Sequence, residues 1–208
     1  MTRCQLLRRE RIRGAPRGTV LALHAAGGDA NALWPLCESL PEFDAVAPQG
    51  PRARDPFHAS AAPDDPRWRA YAGYSWFRCD ERGRPEPASF GDSLAQLESL
   101  VHELAAGGSV FLIGHGDGAT LARAAGLAFP EALAAVAALG GEWPVIPGWS
   151  ESLAWSRGLP LLEDSDGDPH GAVDRIRAFL DARREGARDG RCRSQEADQD
   201  LLQAHCDR

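Results

Sequence analysis

Short apolar runs alternate with longer amphipathic stretches along this chain. That arrangement predicts strands joined by crossover helices and a mostly parallel sheet. Val20 to His24, apolar up to Leu23 and followed by Gly27 and Gly28, predicts a buried strand. Asn31 to Leu40 reads as a short helix with Asn31 as its cap, and Asp44 to Ala47 as a second strand stopped by Pro48. Residues 49–73 are rich in Pro, Arg and Asp and predict a long excursion at the top of the sheet. Leu94, Leu97, Val101 and Leu104 then recur at helical spacing after Ser89, where Ser89 and Asp92 form an approximate capping box; Gly107 and Gly108 end that helix.

The second half repeats the alternation. Val110 to Ile113 suits a central strand covered on both faces. A small-residue helix spans Ala119 to Phe129 and is closed by Pro130. Ala135 to Leu139 and Leu159 to Leu162 are the next strands, separated by a loop, 140–158, that carries Trp143, Trp149 and Trp155. An acidic turn leads to a helix through Val173, Ile176 and Phe179; residues 186–208 form a polar tail with a short helix around Leu201 and Leu202. The whole is a doubly wound sheet in a single domain, whose ligands are expected at the carboxyl ends of the strands.

Composition narrows the function classes. With 208 residues, 43% hydrophobic and 25% charged, the chain can bury one sizeable core. No apolar stretch is long enough to span a bilayer, and no apolar segment follows the basic residues Arg8, Arg9, Arg11 and Arg13 to make a secretory signal. Those arginines read as a solvated edge segment, and a cytoplasmic location is the expectation. A net charge of −7 argues against nucleic acid as a partner. The five cysteines form no C-x-x-C pair, so neither a disulfide framework nor a zinc site is indicated. Asp164, Asp166 and Asp168 resemble the start of a calcium loop, but the glycine is misplaced and Arg175 stands where the final Glu belongs. No metal and no cofactor are expected.

The most informative segment is Gly114-His115-Gly116-Asp117-Gly118, between the strand at 110–113 and the small-residue helix. Its spacing is that of a G-x-S-x-G nucleophile elbow with glycine at the centre. The outer glycines let the helix pass close to the strand. The central residue of such a turn takes a positive φ, a strain for serine but cheap for glycine. A glycine-rich phosphate-binding turn is the competing reading, and the dinucleotide fingerprint is met only loosely, with Ala119 in its last position.

Four further segments join it. His24-Ala25-Ala26-Gly27-Gly28, Ala47-Pro48-Gln49-Gly50-Pro51, Gly73-Tyr74-Ser75-Trp76-Phe77 and Ser165-Asp166-Gly167-Asp168-Pro169 together resemble the phospholipase/carboxylesterase family of α/β-hydrolases, over roughly residues 18 to 185. The resemblance implies the α/β-hydrolase fold, an elbow at Gly116, a triad acid at Asp168 and an oxyanion hole built from the N–H groups of Ala26 and Asp117. It also exposes departures. Gly116 stands in place of the serine, Ala25 in place of a loop glycine, and Gln195 where the triad histidine is expected; His205 is the only histidine of the tail.

Serine esterase chemistry needs a hydroxyl, a base and an orienting acid, and Gly116 supplies no hydroxyl. An oxyanion hole survives loss of the serine, so one reading is an atypical enzyme acting on a small carbonyl- or ester-bearing substrate: a lyase, isomerase, cyclase or serine-independent hydrolase. His24, His115 and His170 are then the candidate acid–base groups; Trp76, Trp143, Trp149 and Trp155 are expected to line or cover the pocket, Trp76 foremost, with His24 and His115 beside them. The second reading is a pseudo-esterase that binds without catalysis. A third is an ordinary carboxylesterase with an engineered serine-to-glycine change. The expected partner is a small molecule, without nucleic acid or membrane insertion, and a homodimer stays open.

Overall fold

The computed structural model describes residues 6–13, 17–53, 73–145 and 158–183. A six-stranded sheet organises them, in the order β1 (Arg8–Arg11), β3 (Asp44–Pro48), β2 (Thr19–Leu23), β6 (Val110–His115), β7 (Ala135–Leu139) and β8 (Leu161–Asp164). Only β1 runs antiparallel to its neighbour; every other pairing is parallel. Two short strands, β4 (Arg52–Ala53) and β5 (Tyr74–Ser75), pair separately at the ends of the excursion. The remainder of that excursion lies outside the described residues, as do Trp149, Trp155, Gln195, His205 and the helix expected around Leu201.

The central strands read as unbroken apolar runs because both faces are covered. On one face Leu21, Leu23, Val110, Leu112 and Val136 pack against α2 (Pro87–Ala105) and α3 (Asp117–Ala128). On the other Val20, Ala22, Phe111, Ile113 and Ala137 meet α1 (Trp34–Glu38) and α4 (173–183), through Trp34, Leu36, Ile176 and Leu180. Successive strand residues point to opposite faces, so one apolar run serves two cores. Helix α3 is buried from Gly118 to Gly126, and its alanines and glycines allow that depth.

The chain leaves β2 towards β3 on one side and reaches β6 on the other, so the strand order reverses between β2 and β6. Their carboxyl ends form the switch point where a doubly wound sheet opens a crevice. Residues 24–28 and 114–118 meet there.

Several local expectations are corrected. The first helix is shorter than 31–40: Asn31 does not cap it but accepts a hydrogen bond from the Arg9 guanidinium, and α1 begins behind Leu33 without a side-chain cap. The long helix starts at Pro87, whose fixed φ suits a first turn, and Glu86 rather than Ser89 is its cap, accepting from the Ser89 N–H at 3.1 Å. Ser89 Oγ is used elsewhere, accepting from Arg78 N–H. The last strand lies two residues later than 159–162. The basic N-terminal segment is the solvated edge expected, and what the sequence did not show is that it forms a strand there. One nitrogen of Arg11 donates to the carbonyls of Cys37, Leu40 and Phe43, tying the edge strand to the turns behind α1.

Candidate ligand-binding site

The β6–α3 turn is built by close approach. A Cβ on Gly114 would lie 2.2 Å from the Gly118 carbonyl oxygen, and one on Gly118 would lie 2.3 Å from that of Leu23. Strand, turn and helix are thus in backbone contact, which only glycine allows at those two places. Between them Gly116 has φ 55° and ψ −119°. It is held there by its N–H to Leu139 O (3.0 Å) and by its carbonyl, which accepts from Ala119 and Thr120 N–H. Asp117 opens α3, so its backbone N–H belongs to the positive end of a twelve-residue helix.

A cleft of about 310 Å³ opens over this turn. Gly116, Asp117 and Thr120 form its floor. One wall is the hairpin 79–85, closed by the Cys79–Pro85 bridge and by Asp80, which accepts from Arg82 and Arg84 N–H and pairs with the Arg84 guanidinium at 2.7 Å. That guanidinium holds the Asp80 carboxyl below the usual carboxylate range. The opposite wall, Gly141 to Trp143, is fastened from beneath by Arg123. This buried guanidinium donates to Gly140 O (3.1 Å) and Glu142 O (3.3 Å), pairs with Glu163 and lies over the Trp143 ring. Thr120 Oγ1 accepts from Glu142 N–H and ties that wall to α3.

Trp143, Gly116 and Asp117 therefore line the cleft, while His24 and Trp76 are placed otherwise than expected. His24 is 1% exposed. Gly50 N–H donates to its Nε2 at 2.9 Å, and a backbone N–H cannot accept, so Nε2 is the unprotonated nitrogen. Nδ1 carries the proton, 2.7 Å from Ala25 O. Both nitrogens are thus committed to backbone, and burial lowers the pKa of the ring. Trp76 is fully buried against His24, with its indole N–H on His24 O at 2.8 Å. It supports the floor from behind. Nothing in the sequence separated a wall tryptophan from a supporting one, because both follow from an aromatic in a loop.

His115 ends β6, half buried and hydrogen-bonded to the Gly167 backbone; desolvation lowers its pKa, opposed by that bond and by the Asp168 charge. Asp168 lies on the exposed turn after β8. One carboxylate oxygen accepts from His170 N–H and the other from Gly171 N–H, both at 3.0 Å, so the side chain caps the approach to α4. His170 is exposed on the same turn. Asp164 is paired with Arg175, which holds its carboxyl low. Ala26 is exposed beside the 116 turn, following Ala25. Arg123, Thr120 and the 79–85 hairpin were missed from sequence. Arg123 alone left a signal, as the one basic residue in a helix of mostly small and apolar residues.

A mostly parallel sheet covered on both faces, with a tight strand–turn–helix corner at its switch point, defines the α/β-hydrolase fold. Solved carboxylesterases share it. The structure is similar to a protein of unknown function from Agrobacterium tumefaciens, Atu2452 (TM-score 0.68, 17% identity, covering 88% of this chain and 98% of that one). It is similar to the Bacillus cereus carboxylesterase (0.60, 15%, covering 86% and 95%) and to a Mesorhizobium loti carboxylesterase (0.53, 20%, covering 79% and 75%). No family model and no curated protein matches the sequence. Among the described residues, no helix is long and apolar enough to cross a membrane.

Proposed function

We propose that this protein binds a small ester- or carboxylate-bearing molecule in the cleft over Gly116 and does not hydrolyse it through a serine. The observation that carries this reading is the turn itself. Gly116 keeps the backbone geometry of an elbow, with φ 55° and ψ −119°, and presents no side chain to a cleft of about 310 Å³. The N–H groups of Ala26 and Asp117, at the end of α3, are the donors this reading assigns to a carbonyl or carboxylate oxygen. The commitments of His24 and Asp168 to backbone favour binding over proton transfer by a histidine–aspartate pair. The solved carboxylesterases of the same fold agree with the ligand class. A second reading is a non-hydrolytic enzyme, favoured by one feature: the acids Asp117 and Glu142 line the same cleft, where a carboxylate exchanges protons with a carbon next to a bound carbonyl.

The test pairs 4-nitrophenyl acetate and butyrate turnover with thermal-shift titration of short-chain carboxylates. Turnover at the buffer rate together with a rise in melting temperature is the expected result. Hydrolysis well above buffer, abolished by blocking the cleft with Thr120→Trp, would overturn the binding reading and return the chain to the esterases.

A further inference from the structure

We infer that Ala25 and Gly116 form a matched pair, in which the methyl group of Ala25 reserves position 116 for glycine and keeps any side-chain nucleophile out of the turn. The inference deepens the proposed function, since it concerns the same turn and supplies a reason for its missing hydroxyl.

Two separate constraints act on residue 116. The first is its backbone, because φ 55° is unfavourable for any residue with a Cβ. That strain is tolerable where function requires it, and by itself it does not forbid a serine. The second constraint is space. A Cβ built on Gly116 would lie 2.9 Å from the Ala25 methyl and 3.5 Å from the Ala25 Cα. Carbon atoms pack best at about 3.5–4.0 Å, so the methyl contact is a clash.

Neither side can yield cheaply. Ala25 has no rotamer through which its methyl could turn away. Its carbonyl accepts from Gly28 N–H at 3.0 Å and meets His24 Nδ1 at 2.7 Å. His24 is itself pinned by Gly50 and Trp76. On the other side, Gly116 is bonded through both its N–H and its carbonyl, and Gly141 backs onto that carbonyl so closely that a Cβ there would sit 2.2 Å from the oxygen. Two pinned backbones face each other across a gap wide enough for one methyl group, and residue 25 already supplies it. Ala25 thus determines which chemistry the turn can hold. Two coupled substitutions, not one, separate this chain from a turn that carries a hydroxyl.

A double-mutant cycle in melting temperature tests this on the full chain, with Gly116→Ala, Ala25→Gly and the two combined. The backbone strain of Gly116→Ala is present in both backgrounds and cancels in the comparison; the clash is present only with Ala25. Gly116→Ala is expected to lower the melting temperature by roughly 3–10 °C with Ala25 in place, and by no more than half of that loss with glycine at 25. If Gly116→Ala does not fold with Ala25, recovery of a cooperative transition in the Ala25→Gly background gives the same support. Equal losses in both backgrounds, or failure to fold in both, would overturn the pairing and leave backbone strain as the whole constraint. The readout is stability, so ester turnover, which tests the proposed function, stands or falls independently of it.

Discussion

The floor and the rim of the cleft are held by different physics. The floor, residues 23–28 and 114–118, is backbone packed on backbone, with Gly118 against Leu23, Gly116 against Ala25 and Trp76 behind His24. The rim is side-chain chemistry at the surface: Asp80 organising Arg82 and Arg84 on one wall, Arg123 fastening Gly140 to Trp143 on the other. A packed backbone allows almost no substitution, so the floor decides what chemistry is excluded. An exposed hairpin tolerates many, so under the proposed function the rim is where ligand selection would lie. In this protein both Gly116 and the Ala25 methyl that faces it belong to the floor.

The sharpest way to break that contrast is a methyl group placed in the floor. Gly118→Ala would set a Cβ within 2.3 Å of Leu23 O and 2.7 Å of His24 O, and neither strand nor helix can retreat. A loss above about 4 kcal/mol in urea denaturation is expected, enough to prevent isolation of folded protein, while Arg84→Ala on the rim leaves the midpoint unchanged. A Gly118→Ala protein of near-native stability would show that the corner is looser than its contacts imply.

Arg123 lies between the two regimes, a buried cation holding a surface wall. Arg123→Met keeps the length of the stem but strands two carbonyls, and it is expected to cost about 2–3 kcal/mol. Heteronuclear NMR relaxation should report new motion confined to residues 140–143. Motion spreading instead to residues 114–118 would mean that floor and wall are one unit.

The smallest expected effect is a pH dependence. The folded pKa values of His24 and His115 are lowered from the ordinary 6.5, chiefly by burial. Below pH 6.5 the unfolded chain takes up protons that the folded chain refuses, so stability falls as the solution is acidified and levels off once pH drops below the folded values. Above pH 6.5 these two groups contribute no slope. Melting curves from pH 7.5 to 5 should show the decline, and His24→Gln should flatten part of it. An unchanged slope in His24→Gln would assign the effect to other groups.

Much of the fold was legible because its signals are local. The apolar runs at 20–23 and 110–113, the glycines at 114 and 118, and the alanine-rich stretch after them each state their own burial within a few residues. Errors arose where two local signals competed. Ser89 with Asp92 looked like a cap, yet Pro87 sets the first turn and Glu86 reaches the Ser89 N–H. Asn31 looked like a cap as well, until the edge strand β1 brought Arg9 to its side chain. The N-terminal arginines read as a solvated edge, which they are, but nothing local marks them as a strand paired with β3.

By itself the sequence determined the α/β alternation, the mostly parallel main sheet, the corner at 114–118 and the glycine at its centre, since periodicity and glycine spacing are properties of adjacent residues. The tertiary structure alone decided that Ala25 faces Gly116, that both nitrogens of His24 are bonded to backbone and that Trp76 supports the floor instead of lining it. These facts depend on which strands become neighbours at the switch point. A contact between two loops distant along the chain has no period, and it exists only once the sheet between them has formed.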